Sequence, residues 1–596
     1  MIHSIYFSSK RILILCYLIM AYTAFLFYPK WNQSHTEATL SWDTSGYYLY
    51  IPATFIYHDI KDLHFIDDIL KKYQPTPELQ QAFWYEKAHT YVLKYSMGQA
   101  ITMLPWFGIG HFWASHSKIY PADGFSHPYQ KSIGIGLFLY ALLGLYFFRK
   151  LLKEFYPDKT VAVILLLIVV GSNYLNYSSI DQGLTHSNLF TLYVFIVYLT
   201  NRYYQNPDCR KALGIGLLCG LATLMRPTEI IALLIPVFWK INSRRDLLAR
   251  INFLFKNQVT HSLIFILGFF CFVALQPLYW HYVSDSFFIY SYQNQGFSWL
   301  HPHIKSYLLG YNSGWLRYTP MMFLTLFGFI FSIKKGKNLI IKVLFPLLAL
   351  YIVMSWDVWD YGGTSGRAMV QYYPLLAFPL ADLYSSLAGK AFSKTLFWIL
   401  ASICIYLNIW WTYHAHRSGI KVSLVSKAYY WKTIGRWNES IADRKLLDNP
   451  FAFEGTPKKY QTIYQKDFLP GKSALGSSVP PGFLISREHP TSPEIQIFRD
   501  QNIHSWIRVY GTFTSTQKEW DIWKQPQLII RFYNQGSVIQ ENIVRIFRFM
   551  GNLETKEISV DAICPTQWDT IRIQVWNAGS DKVCYLNQIR VITFDD

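Results

Sequence analysis

Ser41-Trp42-Asp43-Thr44-Ser45-Gly46-Tyr47-Tyr48-Leu49-Tyr50 places one carboxylate and a tyrosine cluster just beyond the first apolar segment of the chain. A carboxylate inside a membrane span costs about 2.5–3.5 kcal/mol at the centre and less near the interface, so it calls for a task or a partner. Asp43 could accept a proton from a hydroxyl. The simpler alternative is an interfacial Tyr/Trp belt with one solvated Asp. Four cations share this setting: Lys94, Arg226, Arg317 and Arg367 each stand at or near the end of an apolar segment, in loops otherwise poor in basic residues. Each alone reads as a snorkelling anchor, but several facing one leaflet suggest a site for an anionic lipid headgroup.

The elements that must position these groups are mostly membrane helices. Of 596 residues, 52% are hydrophobic, 18% aromatic and only 15% charged, against about 25% charged in soluble proteins. Apolar runs recur from Arg11 to about Trp411 and then stop, the pattern of a mainly α polytopic membrane protein with a soluble C-terminal part. The net charge of +18 would suggest nucleic acid in a soluble chain. Here Lys and Arg cluster in short connectors, so membrane orientation explains them and no nucleic-acid partner is expected. Residues 12–28 follow Lys10 and Arg11 and read as a signal-anchor with a cytoplasmic N-terminus.

Further spans are expected near 131–148, 160–178, 187–200, 211–225, 228–240, 261–280, 319–333, 338–355, 370–386 and 395–413. If they alternate, the basic connectors Arg149…Lys159, Arg202…Lys211, Lys240…Lys256, Lys334…Lys337 and Lys390…Lys394 all fall on the cytoplasmic side. Residues 95–114 could add a span, but that would reverse every basic connector. They read instead as an interfacial or re-entrant helix broken near Pro105. The result is about eleven spans in an inner or plasma membrane: a transmembrane domain over 1–413, with a large outer loop over 29–130 carrying interfacial helices.

Beyond it, residues 414–479 read as a juxtamembrane linker. Short β-rich runs from 480 to 596 predict a β-sandwich on the outer face. There Trp520, Trp523 and Trp576 either stack on sugars or fill the core, and a disulfide between Cys564 and Cys584 is plausible in an oxidising space. In the outer loops, Trp356-Asp357-Val358-Trp359-Asp360-Tyr361-Gly362-Gly363 offers aromatic faces and the carboxylates of Asp357 and Asp360 to a sugar ring and its hydroxyls. A plain aromatic belt with a turn is the alternative.

This order of motifs resembles the GT-C glycosyltransferases, integral-membrane enzymes that use polyprenyl-phosphate sugars, and within them the branch of protein O-mannosyltransferases and the aminoarabinose transferase of lipid A. The resemblance covers roughly residues 1–415. Asp43 before Tyr47 and Tyr48 matches the acidic residue ahead of a tyrosine-rich helix. Lys94 in Leu93-Lys94-Tyr95 matches the basic residue opening an interfacial helix. In Asp181-Gln182-Gly183-Leu184-Thr185-His186, either Asp181 or His186 takes the place of an outer acidic residue. Arg226-Pro227 matches the turn between the fifth and sixth spans, and Arg367 in Gly366-Arg367-Ala368-Met369-Val370-Gln371-Tyr372-Tyr373-Pro374 the basic residue opening a late span.

The resemblance implies an inverting transfer of sugar from a polyprenyl-phosphate donor to a glycan, lipid or protein acceptor on the outer face. Asp43 would be the base, its pKa raised by desolvation against Trp42 and Tyr47. Arg367 would be the main phosphate clamp, supported by Lys94 and Arg226, with Gly362, Gly363 and Gly366 letting the loop close. Some members of that family use a divalent ion. His301-Pro302-His303 could be read as a metal pair, but a loop pair without nearby Cys or carboxylate spacing is usually solvated, so no metal ligand is assigned: no cofactor is required, and a divalent ion stays an open alternative. The rival reading is a transporter or flippase of lipid-linked glycans, which would favour inverted repeats with broken helices; no such pair is evident in the two halves.

Overall fold

Runs of Leu, Ile, Val and Phe in a bilayer must satisfy their own backbone groups, and helices do so. The computed structural model describes residues 8–360, 362–417, 420, 424–449, 452–453, 455–468, 482–500, 503–516, 524–551, 553–580 and 582–595. The chain divides into two compact units, Met1–Ser423 and Leu424–Asp596. Each of the segments read above as a span falls on helix. Among the described residues four stretches are long and apolar enough to cross a membrane, Ser9–Asn32, His127–Lys153, Val259–Ser284 and Ala391–Arg417, and they make this an integral membrane protein. Other helices are cut short by helix breakers: Asp158–Val170 stops at Gly171, and Cys209–Met225 stops before Arg226-Pro227.

Two consecutive helices of the first unit run in opposite directions, since His186 at the start of one and Arg226 just past the end of the other line the same cavity. Thr185–Gln205 leads from His186 to Arg202, and Cys209–Met225 returns from Lys211 to Arg226. Met321–Lys335 ends on Lys334 and Lys335, where the helix dipole favours cations. The basic connectors touch one another at that end. Arg202 Nη2 lies 2.7 Å from Glu154 Oε1, and Lys335 and Lys342 each place Nζ 2.9 Å from Asp382. A thiol-reactive probe confined to one side of the membrane should therefore label a cysteine at Asn312 or Gly362 but not one at Lys337, in a background lacking the exposed Cys209 and Cys271. Labelling of all three from the same side would overturn this arrangement.

Two apolar clusters hold the first unit together. One joins the long helices; the other joins the first loop (Tyr48, Leu49, Ile51, Phe107) to Tyr129, Ile133 and Tyr279. The loop contains a short hairpin, β1 (Ala82–Tyr85) with β2 (Thr90–Leu93), and the helix Gly98–Ser115. That helix runs through Pro105 rather than breaking there. Gln99, Ala100, Met103, Phe107, Gly110 and Ala114 line its buried face, while Pro105 is exposed, where a lost backbone hydrogen bond and a bend are tolerated. It is not among the segments long and apolar enough to cross a membrane.

The second unit opens with the helices Lys427–Thr433 and Ile441–Asp448, the latter started by a capping box between Ser440 and Asp443. Its strands are β3 (Lys458–Asp467), β4 (Phe483–Ile485), β5 (Ile495–Phe498), β6 (Trp506–Ser515), β7 (Gln527–Asn534), β8 (Ser537–Arg545), β9 (Thr555–Ile563), β10 (Thr570–Trp576) and β11 (Cys584–Asp595). They form two antiparallel sheets, β5-β10-β7-β8 and β3-β11-β6-β9 with β4 on β11. Alternate residues such as Ile507, Val509, Phe513, Leu528, Ile530 and Ile573 enter one shared core. The helices belong to this unit rather than to a linker: Asp448 accepts from Arg545 at 2.5 Å and Arg548 at 2.7 Å.

Cys564 and Cys584 are not joined. Cys584 pairs with Ser515, and Ile563, beside Cys564, pairs with Trp506 at the other end of β6. At 3.3 Å per residue those positions are about 30 Å apart. Trp576 is 41% exposed, so it is not a core residue. Trp520 and Trp523 lie outside the described residues.

Candidate active site

Asp43 is presented by a strained backbone. Trp42 immediately before it sits at φ 50°, costly for a large side chain, and three contacts hold it there. Its N–H bonds Pro75 O at 3.1 Å, and its carbonyl accepts from Ser45 Oγ at 2.7 Å and Gln81 Nε2 at 3.3 Å. Asp43 then opens the helix Asp43–Tyr48. A Cβ at Gly46 would meet the Tyr95 ring at 2.4 Å, so this glycine lets Tyr95 lie flat against the helix. The Tyr95 hydroxyl donates to Asp43 Oδ1 at 2.8 Å, and Arg367 Nη2 reaches Asp43 Oδ2 at 2.6 Å.

The cations arrive from separate elements. Proline at 227 keeps Arg226 out of the α region (φ −146°, ψ 121°), which ends the helix Cys209–Met225 and turns the chain at the site. Gly366 adopts φ 66°, and a Cβ there would meet Trp315 at 2.1 Å. It thus packs the turn before Arg367 closely against Trp315. Lys94, just after β2, sits 5.8 Å from the Tyr95 ring and 5.7 Å from the Tyr292 ring.

One cavity of about 270 Å³ is lined by Asp43, Tyr47, Lys94, His186, Arg226 and Arg367. Tyr292, Trp356 and Phe297 add an aromatic wall, with Tyr292 and Trp356 centroids 5.4 Å apart. The side chains of Arg367 and Asp43 are only 16% and 26% exposed. Burial works to raise the Asp43 carboxyl, but Arg367, the Tyr95 hydrogen bond and Lys94 outweigh it and hold it below the usual carboxylate range. The expected upward shift is thus reversed, because the sequence does not show that Arg367 pairs with Asp43. Burial, and Asp43 beside it, raise the Tyr95 hydroxyl, which stays a proton donor.

Other expected site residues lie elsewhere. Tyr48 is buried in the first-loop core and donates to Gly124 O at 2.6 Å. Asp181 pairs with Lys30 and accepts from Asn176 at 2.8 Å, so His186, not Asp181, lines the cavity. Asp357 ties two loops together through Ser298 Oγ at 2.7 Å and Gly296 N at 3.0 Å. Asp360 contributes its carbonyl, at 3.4 Å from Ser313 Oγ, and does not line the cavity. Arg317 lies 3.8 Å from the Tyr311 ring and donates to Leu309 O at 2.7 Å. His303 packs 6.1 Å from Trp359. Among the described residues, the one group with metal-like spacing is Asp59, Asp62 and His64, largely exposed in the first loop.

Glu229 was not anticipated. It is fully buried at the cavity's inner wall and accepts from Gln371 Nε2 at 2.6 Å, Tyr193 OH at 2.7 Å and Tyr372 OH at 3.0 Å. Gln371 in turn lies 3.0 Å from His186 Nδ1. This network fixes the floor beneath Arg226 and Arg367. Glu229→Ala would strand several buried donors at about 1–3 kcal/mol each, so its melting temperature should fall well below that of Glu229→Gln, which keeps an acceptor. Equal melting of the two variants would contradict that role.

No protein-family model matches the sequence, and no curated protein matches it. Among solved structures the chain is similar to the oligosaccharyltransferase of Archaeoglobus fulgidus (11% identity, TM-score 0.41, covering 72% of this chain and 57% of that one). It is also similar to the arabinosyltransferase EmbB of Mycobacterium smegmatis (10% identity, TM-score 0.31, covering 98% of this chain and 64% of that one). The chain thus spans less than two thirds of the length of either.

Proposed function

We propose that this protein is an inverting GT-C-type glycosyltransferase that moves a sugar from a polyprenyl-phosphate donor to a glycan, lipid or protein acceptor on the outer face of the membrane. In this reading about eleven segments cross the bilayer, the basic connectors face the cytoplasm, and the C-terminal sheets form an outer β-sandwich. The observation that carries it is the convergence of Asp43, Arg367, Arg226 and Lys94, far apart in sequence, on one partly enclosed cavity.

The chemistry follows from the pairing of Asp43 with Arg367. Without donor, Arg367 neutralises Asp43 and keeps it a weak base. A donor phosphate competes for the guanidinium, which suits bidentate phosphate contact. Asp43 thereby regains basicity as the donor seats. The acceptor oxygen then attacks the anomeric carbon, its proton passes to Asp43, and the bond from that carbon to the phosphate oxygen breaks. The polyprenyl phosphate leaves with the electron pair, stabilised by Arg367, Arg226 and Lys94. No cofactor is needed for these steps, and the aromatic wall of Trp356 and Tyr292 offers a face to the sugar ring.

The test is to supply membranes containing the protein with a panel of radiolabelled polyprenyl-phosphate sugars and follow label leaving the lipid. Transfer or hydrolysis of at least one donor is expected. Failure with the whole panel, by protein whose melting shows it folded, would count against the reading.

A further inference from the structure

A second cavity, of about 950 Å³, lies at the end of the first unit where the basic connectors meet. Lys159, Lys240, Lys335, Lys337 and Lys394 line it from four separate connectors, with Lys342 from the helical turn Ile340–Leu344. Its floor holds Asp382, whose side chain is 1% exposed. Asp382 is already saturated: Lys335 and Lys342 each approach at 2.9 Å, Ser332 Oγ at 2.7 Å and the Tyr156 hydroxyl at 2.9 Å. The other four lysines have no carboxylate within ion-pair distance among the described residues, and all four are exposed. Phe155, Phe378 and Leu387 give the same cavity an apolar side.

The active-site cavity is lined by Tyr372 and this one by Asp382. Ten residues of essentially continuous helix put them about 15 Å apart, so the two are distinct. A bias of lysines toward the cytoplasmic face accounts for their presence in these loops but not for their convergence around a concavity with an apolar wall. Such a cluster repels itself and favours an anion, and basic pockets between transmembrane helices on the cytoplasmic side suit anionic lipid headgroups.

We infer that this cavity binds the phosphate headgroup of an anionic phospholipid, with Lys159, Lys240, Lys337 and Lys394 as its contacts and the Asp382 cluster as its fixed floor. The inference does not rest on the glycosyltransferase reading.

Native mass spectrometry of the full-length protein in detergent, titrated with cardiolipin or with phosphatidylcholine, tests it. Wild type should retain cardiolipin at concentrations where phosphatidylcholine is lost. The fourfold variant Lys159→Gln, Lys240→Gln, Lys337→Gln, Lys394→Gln should bind cardiolipin at least tenfold more weakly while melting like wild type in phosphatidylcholine nanodiscs. The matching fourfold Arg variant should bind as wild type. Undiminished binding by the Gln variant, or lost binding by the Arg variant, would overturn the site. If millimolar inorganic phosphate displaces cardiolipin and binds as tightly, the ligand is a soluble phosphate and the lipid assignment is wrong.

Discussion

Asp43→Asn should lower turnover by roughly 10²–10⁴-fold, the range for loss of a general base, with expression and melting little changed. Asn keeps the shape of Asp43 and can still accept from Tyr95, whose hydroxyl lies 2.8 Å from Oδ1. What it loses is the ability to take a proton. The Asp43 side chain keeps 26% of its surface accessible and Arg367 16%, and the amide of Asn still offers an oxygen acceptor in place of the carboxylate, so folding should tolerate the change. Turnover measured under saturating donor separates the two effects. Near-wild-type turnover would return Asp43 to an interfacial role.

Arg367 carries the second large effect. A snorkelling anchor needs only a positive charge, so Lys would serve as well as Arg. A planar fork shared between Asp43 and a phosphate does not survive that exchange. Arg367→Lys should weaken donor binding by about 1–3 kcal/mol, roughly 5–150-fold, and Arg367→Ala by more. Donor affinity and expression level, measured for both, distinguish the cases. Lys binding like wild type while Ala only lowers expression would make Arg367 an anchor.

Arg367→Ala has a second signature in pH. Arg367 helps hold the Asp43 carboxyl below its ordinary value, so removing it should raise that pKa and move the acid limb of the pH–rate profile to higher pH. The same sign applies to stability. A depressed carboxylate stabilises the fold above its unfolded pKa, and that contribution disappears as pH falls through the folded value, so the variant should lose this acid-side dependence.

The groups legible from sequence are those whose charge is out of place. Asp43, Lys94, Arg226 and Arg367 stand at span ends where a charge needs a reason, and all four reach the cavity. The proline after Arg226 marked the turn that presents it. Glu229 sits in the same Arg226-Pro227-Thr228-Glu229 string but resembles any turn carboxylate until Gln371, Tyr193 and Tyr372 are seen around it. Tyr95 and Tyr292 were hidden for another reason: in a chain with 44 tyrosines, one more in a loop has no positional signal.

Asp181 and Asp357 misled because a carboxylate's partner is invisible at long range. Lys30 lies 151 positions from Asp181, and Asp357 answers a loop 59 residues away. The segments expected to be spans were readable from hydropathy, and each falls on helix. Interruptions such as Gly171 and Arg226-Pro227 leave four stretches among the described residues long and apolar enough by themselves. In the second unit short β-rich runs revealed most strands, but β3, with exposed and charged residues along most of its length, carried no such signal.

The cavity around Asp43 and Arg367 should cleave a donor rather than convey it. Purified protein in proteoliposomes, given a polyprenyl-phosphate sugar labelled in the sugar, separates these directly when cleavage and transbilayer movement are followed in the same sample. Wild type should release label from the lipid, Asp43→Asn should bind donor without releasing it, and neither should speed its movement across the bilayer. Donor crossing intact, at equal rates with wild type and Asp43→Asn, would contradict cleavage at this cavity.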